Sequence, residues 1–251
     1  MFASYPDVTV DKVSVPFSRA GVPADAKAPV RFGRIGIAAE NLVDDWLGPL
    51  VLIAATVHLD RDAEIIAQGA RAENCFQVVS GCVRTVRLLE DGRRQVGEFL
   101  FAGDVFGWDA VGEHEFAAEA VSPVTLRRLR LSTLEERADE DRRFAQRLRR
   151  YTADQVRLAR SRLVLLGRKT ASERIASFLL EMCERLDHSG KAVIELPMSR
   201  ADMADYLGLT IETVCRGLTE LRRRGTIAVE RTRVAIQDPR ALALAGSDWL
   251  Q

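Results

Sequence analysis

The sequence predicts an α+β chain: an antiparallel β-roll (jelly roll), one long helix, and a helix-turn-helix closed by a β-hairpin. Three observations carry this. From about Val51 to Leu131 short β-rich runs alternate with glycines; from Glu140 to about Lys169 there is no proline and no glycine before Gly167; and from Met198 to Ile227 two helical patterns flank Gly208. The boundaries that follow are an arm over 1–38, a roll over 39–132, a helical region over 133–169 and a terminal domain over 170–251.

Taken in order, the first 38 residues hold Pro6, Pro16, Pro23 and Pro29 amid Val, Ser and Ala, as an extended arm would. A short helix is expected from Asn41 to about Leu50, with Leu42, Val43, Trp46 and Leu47 on one face. Strands are expected over 64–67, 75–79, 82–89, 95–100 and 124–129. Gly69, Gly81, Gly92, Gly103 and Gly107 sit at or beside the turns, and Asp91-Gly92 is the clearest hairpin signal.

The long helix carries two apolar stripes. Phe144, Leu148, Tyr151, Gln155, Leu158, Arg162 and Leu165 follow a 4-3-4-3 spacing, and Thr152, Val156, Ala159, Leu163 and Leu166 run beside them. Two stripes predict burial on two sides: one against the roll, the other against a second copy. The Phe144 to Leu165 stripe is assigned to dimerisation, with a single-chain core helix as the competing reading.

Thr170 caps a helix from Ala171 to about Leu186 with Ile175, Phe178, Leu179 and Met182 inward. Ser199 and Asp202 form a capping-box-like start to the first helix of the pair, Gly208 supplies the turn, and Thr210 caps the second. In that second helix Val214, Leu218 and Leu221 share the buried face, leaving Glu212, Cys215, Arg216 and Thr219 outside. Residues 226–236 are β-rich and break at Arg231, as a basic-tipped wing would. Asp238-Pro239 starts a final helix that Gly246 ends.

An exposed Glu and Arg four apart near a helix N-terminus are side chains that read base edges. Arg bonds bidentately to guanine and Glu accepts from cytosine N4, so the pair suits a C·G step in the major groove. The same pair also occurs as a plain surface ion pair. The charge distribution favours the first reading: residues 1–126 hold 11 Lys/Arg and 18 Asp/Glu, a balance of −7, and residues 127–251 hold 25 and 18, a balance of +7. Arg222, Arg223, Arg224, Arg231 and Arg233 are best placed for phosphates.

Met198 to Ile227 resembles the DNA-binding motif of the Crp/Fnr transcription regulators, and Leu207 to Val214 followed by Arg216 is closest to the FixK/Fnr branch. The resemblance implies base contacts from Glu212 and Arg216 to a TTGA-type half-site, with Ile211 and Cys215 alongside. It implies phosphate contacts from Ser199 and Arg200, and Thr210 and Thr213 join Arg222, Arg223, Arg231 and Arg233 in that set. Cys215 stands where the branch has serine.

Phe101 to Gly107 likewise resembles the family's cyclic-nucleotide-binding roll. Where cyclic AMP binders carry a ribose-binding Glu and then a phosphate-binding Arg, this chain has Trp108-Asp109 and no Lys or Arg between Arg94 and Arg127. A buried phosphate without its cation is costly, so no cyclic nucleotide is expected.

No cofactor or metal is expected either. Cys75, Cys82, Cys183 and Cys215 match no zinc or iron–sulfur spacing, and the iron–sulfur cysteines of Fnr have no counterpart in the first 74 residues. His58 and His114 lack a partner motif and stay unassigned. No apolar run reaches membrane-spanning length and no signal peptide is visible, so the cytoplasm is expected. No set of nucleophile, base and orienting acid points to an enzyme.

The expected function is therefore a DNA-binding regulator, an activator by resemblance, acting as a homodimer with double-stranded DNA and RNA polymerase as partners. Two inputs stand open. Oxidation of Cys215 would put bulk or charge at the DNA-facing side; the alternative is a roll that binds haem or another small ligand.

Overall fold

A computed structural model describes residues 47–108, 112–187 and 189–246. Most of the helix expected over 41–50 lies outside them; the described end is a 3-10 helix, Gly48–Ile53.

Eight strands form the roll: β1 (Ala55–Leu59), β2 (Glu64–Ile66), β3 (Asn74–Ser80), β4 (Val83–Leu88), β5 (Arg94–Leu100), β6 (Val105–Phe106), β7 (Ala117–Ala120) and β8 (Val124–Arg130). They divide into two antiparallel sheets, ordered β1-β8-β3-β6 and β2-β7-β4-β5. The chain crosses repeatedly between the sheets, which makes the architecture a jelly roll rather than a meander. Phe76, Val78, Val83, Leu100, Phe106, Ala118, Ala120 and Leu126 fill the space between them.

The hairpin expected at Asp91-Gly92 joins β4 to β5. Gly92 takes a φ of 81°, and the Asp91 carboxylate accepts from the Arg93 amide at 3.0 Å. Strands β1, β6 and β7 were not read in the sequence. Ala117 to Ala120 is alanine-rich and poor in β-formers; pairing with β2 and β4 makes it a strand, a tertiary effect that overrides propensity.

The helical region is two helices, α1 (Leu131–Glu140) and α2 (Arg142–Arg168). Asp141 separates them: its backbone ends α1, and its carboxylate accepts from the Arg143 and Phe144 amides to start α2.

The two stripes of α2 differ in burial. Phe144 and Tyr151 are buried within the same chain, packed with Leu47, Cys75, Val105, Leu129 and Leu134. The Tyr151 hydroxyl donates to the Val105 carbonyl at 3.0 Å and accepts from its amide at 3.2 Å. Leu148 packs beside them, and Leu165 packs on the terminal domain. Gln155, Leu158 and Arg162 line a cavity of about 30 Å³ with β5 and the following helix, room for about one water. Of the stripe assigned to dimerisation, Phe144 and Tyr151 are thus buried within the chain, and Leu148, Gln155, Leu158, Arg162 and Leu165 are half-buried. The exposed stripe is the other one: Val156 is 45% and Leu163 73% exposed.

Beyond Thr170 come α3 (Ala171–Leu186), β9 (Val193–Glu195), α4 (Arg200–Leu207), α5 (Ile211–Arg223), β10 (Ile227–Glu230), β11 (Arg233–Ile236) and α6 (Pro239–Gly246). The wing is three-stranded, β10-β11-β9, where the sequence reading saw a hairpin. One apolar cluster unites this domain with the outer face of the roll: Val86, Val96 and Phe99 join Phe178, Met182, Tyr206, Leu207 and Val214. Phe99 lies 5.2 Å from the Tyr206 ring, and Phe178 lies 5.5 Å from it.

Candidate nucleic-acid interface

Helices α4 and α5 form the expected pair, and each start is capped as the sequence requires. Ser199 accepts from the Asp202 amide at 3.1 Å while Asp202 accepts from the Ser199 amide at 3.0 Å, a complete capping box. Gly208 ends α4 in the left-handed region at φ 61°, and Thr210 accepts from the Thr213 amide at 3.2 Å to start α5.

Val214, Leu218 and Leu221 anchor α5 inward. A Cβ on Gly217 would lie 2.3 Å from Ile175 Cδ1, so the missing side chain is what lets α5 sit down on α3. Nothing in the sequence pattern flagged this glycine.

The opposite face of α5 is open to solvent. Glu212 and Arg216 are 76% and 70% exposed, with Arg216 Nη1 3.7 Å from Glu212 Oε1, and the exposed Ile211 and Cys215 border them. So loose an exposed pair contributes little to stability and leaves both groups available. Arg200 reaches across from α4. Burial lowers its guanidinium pKa, and its Nη1 lies 3.2 Å from Met203 Sδ on the same helix.

The basic residues differ in availability. Arg223 donates twice to Glu220 at 2.8 Å, and Arg224 donates to it at 2.6 Å. Hydrogen bonds from these two arginines draw the Glu220 carboxyl down to about 2. A phosphate must therefore compete with Glu220 for Arg223 and Arg224, while Arg222 is exposed. At the wing, Arg231 occupies the two-residue turn with a φ of 53°, a strained conformation for a side chain other than Gly, Asn or Asp. Arg233 lies across from Glu195 and Glu230 in the sheet register.

Two groups that the sequence reading passed over hold this unit in place. Arg174 of α3 donates to the carbonyls of Leu166, Lys169 and Leu207, so one guanidinium ties the end of α2 to the end of α4. Asp202, read only as a cap, also meets Arg84 and Arg94 of the roll. Neither role was legible because Leu207, Arg84 and Arg94 are 33 or more residues from their partners.

The nucleotide-like motif of the roll has other duties. Asp104 accepts from the Phe101 amide at 2.7 Å and pairs with Arg185 of α3, while Trp108 packs edge-on against Tyr151 at 5.5 Å. His58 hydrogen-bonds to Thr125 on the adjacent strand. Burial raises the thiol pKa of Cys75 to about 11 and of Cys82 to about 12, which makes both inert. Among the described residues, no helix is long and apolar enough to cross a membrane.

Comparison with known proteins follows the same division. Residues 173–245 match a Crp-like helix-turn-helix domain, and residues 56–141 match a cyclic nucleotide-binding domain. The chain is 41% identical over 232 residues to the nitrogen fixation regulation protein FixK of Azorhizobium caulinodans, covering 89% of this chain and 94% of that one. It is 35% identical over 192 residues to the transcriptional activator protein FnrL of Cereibacter sphaeroides, covering 73% and 77%. The solved structure of FixK2 from Bradyrhizobium japonicum superposes with a TM-score of 0.75 at 40% identity, over 78% of this chain and 99% of that one.

Proposed function

Because the chain belongs to the Crp/Fnr family of transcription regulators, in its FixK-like branch, we propose that it acts as a homodimeric activator reading a two-fold symmetric TTGA-type site. The carrying observation is the exposed Glu212–Arg216 pair on α5, a helix capped at its start and anchored behind by Val214, Leu218 and Leu221. In the major groove, Arg216 supplies the fork for guanine and Glu212 the acceptor for cytosine of the G·C pair in TTGA. Ser199, Arg200, Thr210 and Thr213 stand at the helix N-termini where phosphates are favoured, with Arg222, Arg223, Arg231 and Arg233 on the flanks.

The second copy docks on the exposed α2 stripe of Thr152, Val156, Ala159 and Leu163. Four-base half-sites separated by six bases have centres 10 base pairs apart, one helical turn, which suits the symmetry of such a dimer. RNA polymerase is the partner that an activator requires.

No cyclic nucleotide takes part. Trp108 on Tyr151 and Asp104 on Arg185 use the groups around the nucleotide-like motif for packing and docking. Binding to a symmetric TTGA-N6-TCAA duplex without added ligand tests the reading. The parent binds specifically, and Glu212→Ala or Arg216→Ala loses about 1–3 kcal/mol and the preference at that base pair. Absence of specific binding in the bare parent sinks it.

Cys215 makes this binding oxidant-sensitive. Its thiolate attacks a peroxide oxygen, forming an S–O bond as the O–O bond breaks and hydroxide leaves; the sulfur loses the two electrons that the peroxide gains. A sulfenic or further oxidised side chain on the exposed face of α5 then obstructs the backbone contact. Cys215→Ser keeps DNA binding and loses peroxide sensitivity; equal sensitivity in parent and variant rejects the switch.

A further inference from the structure

Two arginines of the β-roll converge on the helix that starts the DNA-binding motif. Arg94 Nη2 lies 2.8 Å from Asp202 Oδ1, and its Nε lies 2.8 Å from Asp205 Oδ2. Arg84 Nη1 reaches the same Asp202 oxygen at 3.0 Å, while its Nε and Nη2 hold Glu119 of β7 at 2.8 Å. Next along β5, the Gln95 side-chain amide donates to the Asp205 carbonyl at 2.6 Å.

Asp202 and Asp205 are three residues apart on α4, so they share a face one turn long. One guanidinium fork that spans both fixes the rotation and the axial position of the helix together. Arg84 holds the Asp202 point a second time, from β4, and Gln95 adds a third point at the Asp205 carbonyl. The Asp202 side chain is only 4% exposed, so its charge is stable there only while these partners and Ser199 hold it.

The apolar contact around Phe99 and Tyr206 attracts the same two bodies, but burial of apolar surface is non-directional and tolerates sliding. Charge-assisted forks do not. We propose that Arg84 and Arg94 are positioning residues for DNA readout: through Asp202 and Asp205 they set the angle at which α5 leaves the roll, and thereby the separation of the two reading helices. Neither arginine needs to touch DNA. The proposal rests on the dimeric DNA-binding reading above.

The test uses the full-length protein and fluorescent TTGA-N5-TCAA, TTGA-N6-TCAA and TTGA-N7-TCAA duplexes. The variants are Arg94→Gln and, from the helix side, Asp205→Asn, whose side chains are partly exposed and whose loss the fold tolerates. The parent prefers the six-base spacer. Each variant weakens binding to that duplex about tenfold, the scale of a typical coupling between two sites, and leaves the other two within about twofold, so spacer discrimination collapses. The double variant is no worse than Arg94→Gln alone, since that substitution already removes the pair that Asp205→Asn breaks. The dependence of affinity on salt keeps its slope, because no phosphate contact is lost.

A purely structural role weakens all three duplexes by one common factor, and that result, or no change at all, overturns the proposal. If the parent binds none of the duplexes, the functional reading has failed instead. The docking role is then decided by hydrogen exchange: Arg94→Gln accelerates the amides of α4 ahead of those of the roll, and uniform protection in parent and variant overturns it.

Discussion

Arg231 departs from the local preference of its turn. It occupies the left-handed region at φ 53° in a two-residue turn where Asn or Gly is favoured. Arg231→Asn relaxes that backbone, and the midpoint of denaturant unfolding rises by the equivalent of about 0.5–1 kcal/mol. With the phosphate contact proposed for Arg231, the same substitution lowers the slope of log affinity against log salt by about one. An unchanged slope would show that Arg231 meets no phosphate. Gly217 is the opposite case, a residue whose value lies in having no side chain. Ala at this site gains about 1 kcal/mol of helix propensity but must displace Ile175, at an overpacking cost of about 1–3 kcal/mol. The expected net is a modest destabilisation, read as a lower thermal midpoint; a gain would mean that Ile175 finds another rotamer freely.

Helix α2 makes the corresponding argument for an element. Its two stripes have the same periodicity, and periodicity cannot say which one a protein keeps for itself. The aromatic residues decide it: Phe144 and Tyr151 fill the roll, and Val156 and Leu163 remain outside. Two substitutions separate the faces. Leu163→Arg puts like charges across the two-fold axis, so sedimentation shows monomer at concentrations where the parent is dimeric, with the helical circular dichroism unchanged. Phe144→Ala leaves a cavity and costs about 3–5 kcal/mol of stability, while the protein that stays folded still associates. The reverse pattern, association lost with Phe144 and kept with Leu163→Arg, would return the interface to the buried stripe.

For the whole molecule the telling group is Asp202, which belongs to the cap of α4 and to the junction with the roll at once. Burial works against its charge. Hydrogen bonds from Ser199 and the fields of Arg84 and Arg94 more than reverse this and hold its carboxyl below the usual carboxylate range. A lowered folded pKa stabilises the folded state above the unfolded value of about 3.9, and that contribution is lost as pH falls through the lowered value. Glu119, Asp205 and Asp62 face the same two arginines. The thermal midpoint therefore drops on acidification below about pH 4, and Asp202→Asn, which keeps an acceptor for Ser199 without the charge, flattens that drop. Parallel curves for parent and variant would assign the acid sensitivity elsewhere.

Whatever depends on neighbours along the chain can be read from the residues alone. Ser199 with Asp202, Gly208 and Thr210 define the α4–α5 unit, Asp91-Gly92 defines a hairpin, and the spacing of Val214, Leu218 and Leu221 leaves Glu212 and Arg216 on the free face. Each of these rests on a local hydrogen bond, a φ angle or a helical period, and such terms are fixed within about four residues. Only the tertiary structure decided the remainder. The alanines of β7 become a strand through partners on β2 and β4, the two stripes of α2 are told apart by the shape of the roll, and Arg84, Arg94 and Arg174 gain their roles from carboxylates and carbonyls up to 118 residues away. The physical reason is common to all three: burial and charge pairing depend on proximity in space, and a one-dimensional pattern carries the period of a surface without naming what will cover it.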